Sequence, residues 1–498
     1  MAMSERKVHV LGVFIALTVL GLSGAWGQSP HLFTMSKEEH DAHLAKISAR
    51  STADWQRMVD LIGIRLPDSL PPPIQDPRRP VNTFQKEGSP NWYDREGNTY
   101  ARSAWGTWNN YSEAKANPFP RLPDPLRLDD GRRVSTEDMW WMERREEIIN
   151  AFNREIFGEV PSNIPAIRWS VLRTQDTTIG GVAAVTKGLS GRLENALDTN
   201  IRVEIQATLT TPAAATRPVP VLMEFGFVFP PGFHFPGMTK PEGPTWQEQV
   251  LQQGWGYVVY VPTSVQPDHG AGLTEGIIGL VNKGRPRDPG DWGALRAWAW
   301  GASRVMDYLE TDETVDAAKV GIEGLSRYGK AVLVAMAYDQ RFAIALVGSS
   351  GKGGATLYRR DYGESMGNIC STAEYHWFAG TFLRYVVRPD TLPVDSHELI
   401  ALCAPRPVFI SCGSPEIEGR WVDAKGQFDA ALAASPVFAL LGKKGLGATA
   451  MPSVGIPLVG GDLAFRQHEG GHTNGPNWPY FLRFGRRYFA APGASGPR

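Results

Sequence analysis

The stretch Gly321-Ile-Glu-Gly-Leu-Ser-Arg-Tyr-Gly-Lys330 predicts a strand, a tight turn that carries one serine, and a helix in immediate succession. Gly324 and Gly329 remove the side chains that would collide where strand and helix meet, which leaves Ser326 exposed on the turn. This is the pattern of a nucleophile elbow, although its spacing is G-x-S-x-x-G and not the commoner G-x-S-x-G. An ordinary Gly/Ser turn is the alternative, and the strand before and helix after argue against it.

The sequence around the elbow alternates β-prone and helical segments. Short runs bounded by Gly, Pro and Asp predict strands, and they are Ile167–Leu172, Val182–Lys187, Ile201–Thr210, Val219–Phe225, Tyr257–Val261, Ala317–Ile322, Phe342–Val347, Pro407–Cys412 and Leu463–Arg466. Asp291 is expected to cap a helix with an apolar face from Trp292 to Leu309. We therefore expect an α/β-hydrolase fold, a three-layer sandwich around a mixed, mostly parallel central sheet, with an N-terminal extension.

The chain divides into three predicted regions. Residues 1–27 have basic residues, an apolar run and a small-residue end, as secretory signal peptides do. The apolar run is shorter than the roughly 20 residues of a membrane span, so an uncleaved anchor is only the alternative. Residues 28–161 form an extension with a helix from Lys37 to about Ile64 and another, opened by a capping box at Ser135, to about Phe157. Residues 162–490 form the catalytic domain.

The composition restricts partners and compartment. There are 51 basic and 52 acidic residues and no long run of either sign, so neither nucleic acid nor an anionic membrane is expected as a partner. Three cysteines allow at most one disulfide. We expect a secreted or periplasmic protein, a monomer, with no cofactor.

A serine hydroxyl becomes a nucleophile only beside a histidine that a carboxylate orients. His472 follows the last predicted strand and is the expected base, with His468 in reserve. The loop after strand Pro407–Cys412 holds the expected acid, Glu416, with Glu418 and Asp423 as alternatives. Serine, acid and histidine then follow one another in the chain order of α/β-hydrolases.

The string His468-Glu-Gly-Gly-His472 also satisfies H-E-x-x-H, a zinc-protease motif that works only on a helix. Two glycines inside that turn would each cost about 1 kcal/mol of helix propensity relative to alanine. No third ligand is evident, so no metal is expected.

Two basic residues accompany the serine. Arg327 is unusual at a helix N-terminus, where the dipole disfavours a cation; it fits if it reaches the developing oxyanion or an anionic substrate, and otherwise it is a surface arginine. Lys330 lies one turn further on the same face, and a solvated charge is its alternative interpretation.

Five motifs in order resemble the glucuronoyl esterases of carbohydrate esterase family 15, bacterial type. They are Asp291–Gly301, Gly324–Lys330, Ser350–Ala355, Tyr375–Phe378 and Gly470–His472. The resemblance implies hydrolysis of the ester between glucuronic acid, or 4-O-methylglucuronic acid, of glucuronoxylan and lignin alcohols. It implies Ser326 as nucleophile, His472 as base, Arg327 as an oxyanion-hole residue, and Lys330 and Trp377 as sugar contacts. Tyr358, Arg359 and Glu364 are further candidate substrate contacts.

The sequence departs from the family pattern at two positions. Leu325 replaces the usual cysteine before the nucleophile, and Ser349 stands where fungal members place the triad acid. The acid must therefore come from elsewhere, which favours Glu416. An acetyl xylan esterase with the same triad, or a non-catalytic relative that only binds polysaccharide, are the competing interpretations.

Overall fold

The strands form two sheets in the computed structural model, which describes residues 36–64, 74–75, 92–93, 99–100, 109–194, 197, 200–226, 243–386 and 388–489. A small antiparallel sheet contains β1 (Ile74–Gln75), β2 (Trp92–Tyr93) and β3 (Thr99–Tyr100). The central sheet contains β4 (Ile167–Ile179), β5 (Val182–Leu193), β6 (Glu204–Pro212), β7 (Val219–Phe225), β8 (Gly256–Val261), β9 (Val315–Leu325), β10 (Ile344–Gly348), β11 (Val408–Cys412) and β12 (Leu463–Gln467).

The central sheet has the order β12-β11-β10-β9-β7-β8-β6-β5-β4. From β8 through β12 every neighbouring pair is parallel, while β4, β5 and β6 pair antiparallel. The carboxyl ends of the parallel strands lie at one edge, where open α/β sheets hold their ligands. The predicted α/β-hydrolase fold, with its mixed and mostly parallel sheet, is confirmed.

Helices cover both faces of this sheet. They are α1 (Lys37–Ile62), the segment α2 (Glu137–Met139, Trp140–Arg144, Arg145–Phe152 and Asn153–Phe157), α3 (Trp246–Gln252), α4 (Gly276–Val281), α5 (Ala294–Leu309), α6 (Arg327–Tyr338), α7 (Met366–Ile369), α8 (Ser396–Ala401), α9 (Ala424–Leu440) and α10 (Trp478–Phe489). Buried side chains of α5, α6, α8 and α9 form one core with the sheet, and those of α3 and α10 form another. The three predicted layers are therefore present.

Two predicted helix starts are wrong by one or two residues. Gly293, not Asp291, is the N-cap of α5, because the Asp291 carboxylate instead accepts bonds from the Asp288 N–H and the Asn282 amide. Helix α2 starts after Thr136, whose hydroxyl accepts from the Met139 N–H at 3.2 Å. Ser135 lies one residue before that cap.

The described part of the N-terminal extension packs on the catalytic domain. Helix α1 starts with a capping box between Ser36 and Glu39, and its side chains Trp55, Met58 and Val59 are buried in the main core. Further along, the Glu113 carboxylate pairs with Arg360 at 2.6 Å. The predicted signal peptide, residues 1–27, lies outside the described residues, and the boundary at residue 161 stays a prediction.

The three cysteines, Cys370, Cys403 and Cys412, are buried and unbridged. Burial raises the pKa of each thiol above its ordinary value. Among the residues that the structure describes, none of the helices has the length and apolar character needed to cross a bilayer.

The elbow glycines have the predicted steric role. A Cβ on Gly324 would lie 2.6 Å from the Tyr328 carbonyl oxygen, and one on Gly329 would lie 2.5 Å from the Gly348 carbonyl oxygen. Both contacts are to backbone, which cannot move aside as a flexible side chain can. Glycine at these positions lets β9, α6 and β10 meet around Ser326.

Alanine at Gly329 should therefore lower the free energy of unfolding by about 1–3 kcal/mol through overpacking. The matched control is Gly485→Ala inside α10, where the new methyl group meets Trp255 at an ordinary 3.4 Å. That change should be neutral or stabilising by up to about 1 kcal/mol, since alanine favours helix. Urea unfolding of both variants measures the difference, and equal effects would contradict the packing argument.

Candidate active site

Ser326 lies on the turn between β9 and α6, as predicted. Its backbone is forced into the left-handed region, with φ 62° and ψ −128°, and its N–H donates to the Gly348 carbonyl at 2.8 Å. A non-glycine residue holds such a conformation only where the surrounding structure fixes it. The half-buried side chain is thereby presented at the carboxyl edge of the sheet.

A histidine and a glutamate meet in the loops that follow β12 and β11. His472 Nδ1 lies 2.6 Å from Glu418 Oε1, and the Glu418 side chain is fully buried. The second carboxylate oxygen accepts the Gly413 N–H. His472 Nε2 is buried and has no hydrogen-bond partner among the described residues. The Nδ1–H tautomer follows from this pairing, so Nε2 carries a lone pair and can accept a proton.

The structure corrects the choice of Glu416 as the carboxylate that orients the histidine. Glu416 is exposed at the tip of the turn, whereas Glu418 reaches back under it. Asp423 is engaged elsewhere, because its carboxylate accepts from the Arg360 guanidinium and the Gly426 N–H. Among the three candidates, Glu418 alone contacts His472.

His468, the reserve base, is fully buried, and its Nδ1 accepts the Gly470 N–H at 3.0 Å. Residues 468–472 lie in a loop, so the helix that the zinc motif requires is missing. In the described part of the chain, no three His, Cys, Asp or Glu side chains cluster as metal ligands would.

Backbone and side-chain bonds hold these loops to the elbow. The Ser414 N–H donates to the Gly470 carbonyl at 2.9 Å, which joins the loops of Glu418 and His472. Asn474, two residues after the histidine, donates to the Glu323 carboxylate at 2.9 Å. Glu323 lies on β9 just before the elbow. The elbow and the loops of Glu418 and His472 therefore lie next to one another at the sheet edge, although they are far apart in sequence.

Arg327 pairs with Asp268, a residue that sequence analysis did not select. Its guanidinium bonds to Asp268, whose other carboxylate oxygen accepts from Trp377 Nε1 at 2.7 Å and His376 Nε2 at 2.9 Å. Burial alone would raise the pKa of Asp268, but Arg327, His376 and Trp377 together hold it below the ordinary value. Asp268 lies in an irregular loop after β8, where no motif marks it.

Lys330 is not a solvated charge. Its ammonium is buried and donates to the carbonyls of Ser350 at 2.8 Å and Lys352 at 2.7 Å and to Glu364 Oε2 at 3.1 Å. The same Glu364 oxygen accepts the Lys352 N–H. Lys330 Nζ and the Arg327 guanidinium carbon each lie 5.4 Å from the centre of the Trp377 ring, within cation–π range.

Trp377, predicted to line the pocket, is 4% exposed and lies against these two cations. The structure does not place Tyr358 and Arg359 where substrate could reach them. The Tyr358 ring is buried against Phe382. The Arg359 guanidinium is buried on Asp395 and on carbonyl groups of that loop. Both candidate contacts are therefore corrected to structural roles.

Two further residues near the site were missed. Glu374 has a buried carboxylate oxygen with no partner among the described residues, and burial, reinforced by Glu364, raises its pKa to about 8 although Lys330 and Arg327 lower it. Trp421 lies 5.5 Å from the His472 ring, and its carbonyl accepts the Glu364 N–H. Neither belongs to a recognisable motif, although Trp421 follows Glu418 by only three residues.

Comparison with known proteins identifies relatives along most of the chain. Residues 287–442 match the family described as glucuronyl esterase, fungi. A carbohydrate esterase, MZ0003, from an unknown prokaryotic organism is 33% identical over 407 residues, which cover 75% of this chain and 91% of the relative. The 4-O-methyl-glucuronoyl methylesterase 1 of Wolfiporia cocos is 29% identical over 65% of this chain and 72% of its own length.

Solved structures agree. A CE15 glucuronoyl esterase from Teredinibacter turnerae superimposes with a TM-score of 0.75 at 38% identity, over 88% of this chain and all of that one. A glucuronoyl esterase from Solibacter usitatus gives a TM-score of 0.67 at 34% identity, over 75% of this chain and 99% of its own. With the elbow, the histidine–glutamate pair and this similarity together, the chain belongs to the glucuronoyl esterases of carbohydrate esterase family 15.

Proposed function

We propose that this chain is a serine esterase that hydrolyses esters of glucuronic acid through an acyl-enzyme. The observation that carries the proposal is the 2.6 Å bond between His472 Nδ1 and the buried Glu418, which leaves Nε2 buried and without a partner. An imidazole held in this way is a general base for a serine on the neighbouring turn. Family membership supplies the substrate class.

In the proposed reaction, Ser326 Oγ attacks the ester carbonyl while His472 Nε2 takes its proton. The first turn of α6 and the Arg327 guanidinium stabilise the oxyanion, since both present positive charge at the attacked carbonyl. The imidazolium then protonates the alcohol as it leaves. Water, activated by the same histidine, attacks the acyl-enzyme and releases the uronic acid. No step requires a metal or cofactor.

The sugar ring is proposed to lie against the side chains next to this centre. Glu374 and Glu364 carry carboxyl groups beside the two cations, and the Trp421 indole lies against His472. A protonated Glu374 can donate to a sugar hydroxyl, and the partnerless oxygen can accept from one. These polar groups favour a uronate as the acyl part of the substrate. The acetyl group of the competing interpretation would need only a small apolar pocket.

We further propose that the natural substrate is the ester joining glucuronic or 4-O-methylglucuronic acid of glucuronoxylan to lignin alcohols. Support comes from the sequence resemblance and from relatives named 4-O-methyl-glucuronoyl methylesterase. Export to the periplasm or medium, and action as a monomer, belong to the same proposal. The basic and apolar residues near Met1 support export.

Replacing Glu418 by Gln should lower kcat on benzyl glucuronate roughly 10³- to 10⁴-fold, because the amide no longer orients and stabilises the imidazolium. Glu416→Gln is the matched control, since that side chain is exposed in the same loop, and it should retain near wild-type activity.

Ser326→Ala should abolish turnover, and a chelator should not affect the turnover of the wild-type protein. A large loss in E416Q with little in E418Q would reverse the assignment. Faster hydrolysis of acetylated xylan would favour the acetyl esterase.

The raised pKa of Glu374 predicts a pH-dependent stability difference. Its folded-state pKa of about 8 lies above the roughly 4.3 of an unfolded glutamate. Between those values the native state binds a proton that the unfolded state lacks. The contribution of Glu374 to the free energy of unfolding therefore falls as pH rises. Glu374→Gln stays neutral, and its stability relative to wild type should therefore rise between about pH 5 and pH 8.

The stability of E374Q relative to wild type should rise by about 1–4 kcal/mol over this range. Thermal unfolding of both proteins at each pH measures it. Other buried carboxyl groups are common to both proteins and cancel in the difference. Glu416→Gln, at an exposed position, supplies the baseline and should give a flat difference. A flat curve for E374Q would show that Glu374 is ionised in the folded protein.

A further inference from the structure

Asp268 gathers three donors from two separate parts of the chain. The Arg327 guanidinium reaches one carboxylate oxygen, and His376 Nε2 and Trp377 Nε1 reach the other. The carboxylate is 2% exposed. Burial lowers the pKa of His376, although Asp268 raises it, so that ring is neutral and donates its Nε2–H. A single buried anion thus joins the residue after the nucleophile to the loop of residues 371–378.

Helix α1 braces the two loops that contain Asp268 and its partners. The Ser51 hydroxyl accepts the Ala271 N–H at 2.9 Å, three residues after Asp268. The Tyr375 hydroxyl donates to Asp54 at 2.8 Å, and Trp55 Nε1 donates to the Cys370 carbonyl at 2.9 Å. All these contacts cross from the N-terminal extension to the active-site side of the catalytic domain.

The two braced loops also touch each other. A Cβ on Gly270 would lie 2.4 Å from the Tyr375 hydroxyl oxygen, so only glycine allows this approach. Gly270 is two residues from Asp268, and Tyr375 is two from Trp377. Displacement of either loop would therefore move the carboxylate relative to Arg327.

Arg327, at the first turn of α6, needs interactions that hold its guanidinium in place. The dipole of α6 repels a cation at its first turn, and an arginine side chain has several rotatable bonds whose freedom must be lost before it can act on an oxyanion. Asp268 accepts a bond from Nη1 of this guanidinium, and a charge-assisted bond of this kind restricts the position of the whole planar group. The Trp377 ring beneath the guanidinium restricts it further.

We propose that Asp268 is the positioning residue of the oxyanion arginine, and that helix α1 of the N-terminal extension holds Asp268 in place through the two loops. The inference rests on the proposed function, in which Arg327 faces the oxyanion. Asp268 itself does not touch the substrate. Its effect on the reaction passes through Arg327.

A buried ion pair is also what a purely structural role would look like. Removing one partner of such a pair destabilises a protein whether or not the pair serves catalysis, so a change in Tm alone does not separate the two roles. A double-mutant cycle does, because residues that act as one unit have strongly non-additive effects on kcat.

The experiment measures kcat and KM on benzyl glucuronate for wild type, Asp268→Asn, Arg327→Ala and the double variant. R327A should lower kcat roughly 10²- to 10³-fold, as loss of an oxyanion donor does. D268N should lower kcat about 10- to 100-fold, with KM changed less than about threefold. In the R327A background the same Asp268 change should lower kcat by less than about twofold. If the effects of D268N and R327A on kcat multiply in the double variant, the inference is overturned.

Asp395→Asn is the matched control, since Asp395 is also fully buried and paired with an arginine, Arg359, at 3.0 Å. It should lower Tm while leaving kcat within about twofold. If D268N does not fold, Tyr375→Phe replaces it in the cycle, because it keeps the ring and removes the hydroxyl's bonds to Asp54 and to the Ser51 carbonyl of helix α1. Y375F should lower kcat several-fold in wild type and not in R327A.

Failure of the inference is distinguishable from failure of the proposed function. If wild type does not hydrolyse benzyl glucuronate, the proposed function is wrong. If wild type hydrolyses it and the effects of D268N and R327A multiply, only the positioning role is wrong. If Y375F lowers kcat as much in the R327A background as in wild type, the supporting role of helix α1 is likewise wrong.

Discussion

The close approach of α6 to the end of β10 is the constraint on which the active site depends. The Gly348 carbonyl accepts the Ser326 N–H at 2.8 Å, and Gly329 leaves no room for a side chain against that same oxygen. The serine is held in a left-handed conformation by this contact. Its hydroxyl, the start of α6 and the neighbouring strand ends are then fixed relative to one another, and the other candidate catalytic groups lie on loops around them.

Those groups come from two directions. On one side, the loops after β11 and β12 contain Glu418 and His472, which are joined to each other and, through Asn474, to the strand that precedes Ser326. On the other side, the loops that contain Asp268 and Trp377 meet Arg327. Helix α1 contacts this second side. The N-terminal extension is therefore part of the architecture around the catalytic domain's active site.

The strands and the elbow lie where the sequence predicts them because each has a local signal, and the role of His472 as base stays a prediction. Val219–Phe225 coincides with β7 as predicted, and the two elbow glycines have the expected contacts. The choice between Glu416 and Glu418 had no such signal, because both lie in one turn and only its three-dimensional course decides which faces inward. Asp268 and Glu374 were not predictable for a similar reason: their importance comes from partners more than fifty residues away in the first case, and from burial in the second.

The three thiols described above have a consequence for the environments in which the protein keeps its shape. None is bridged, and burial keeps each of them in the unreactive protonated form. Folding therefore needs no oxidative pairing of these cysteines, and none of their sulfur atoms is accessible to reductants or mild oxidants. The thiol–disulfide balance of the surroundings consequently has no bond in this fold to form or break.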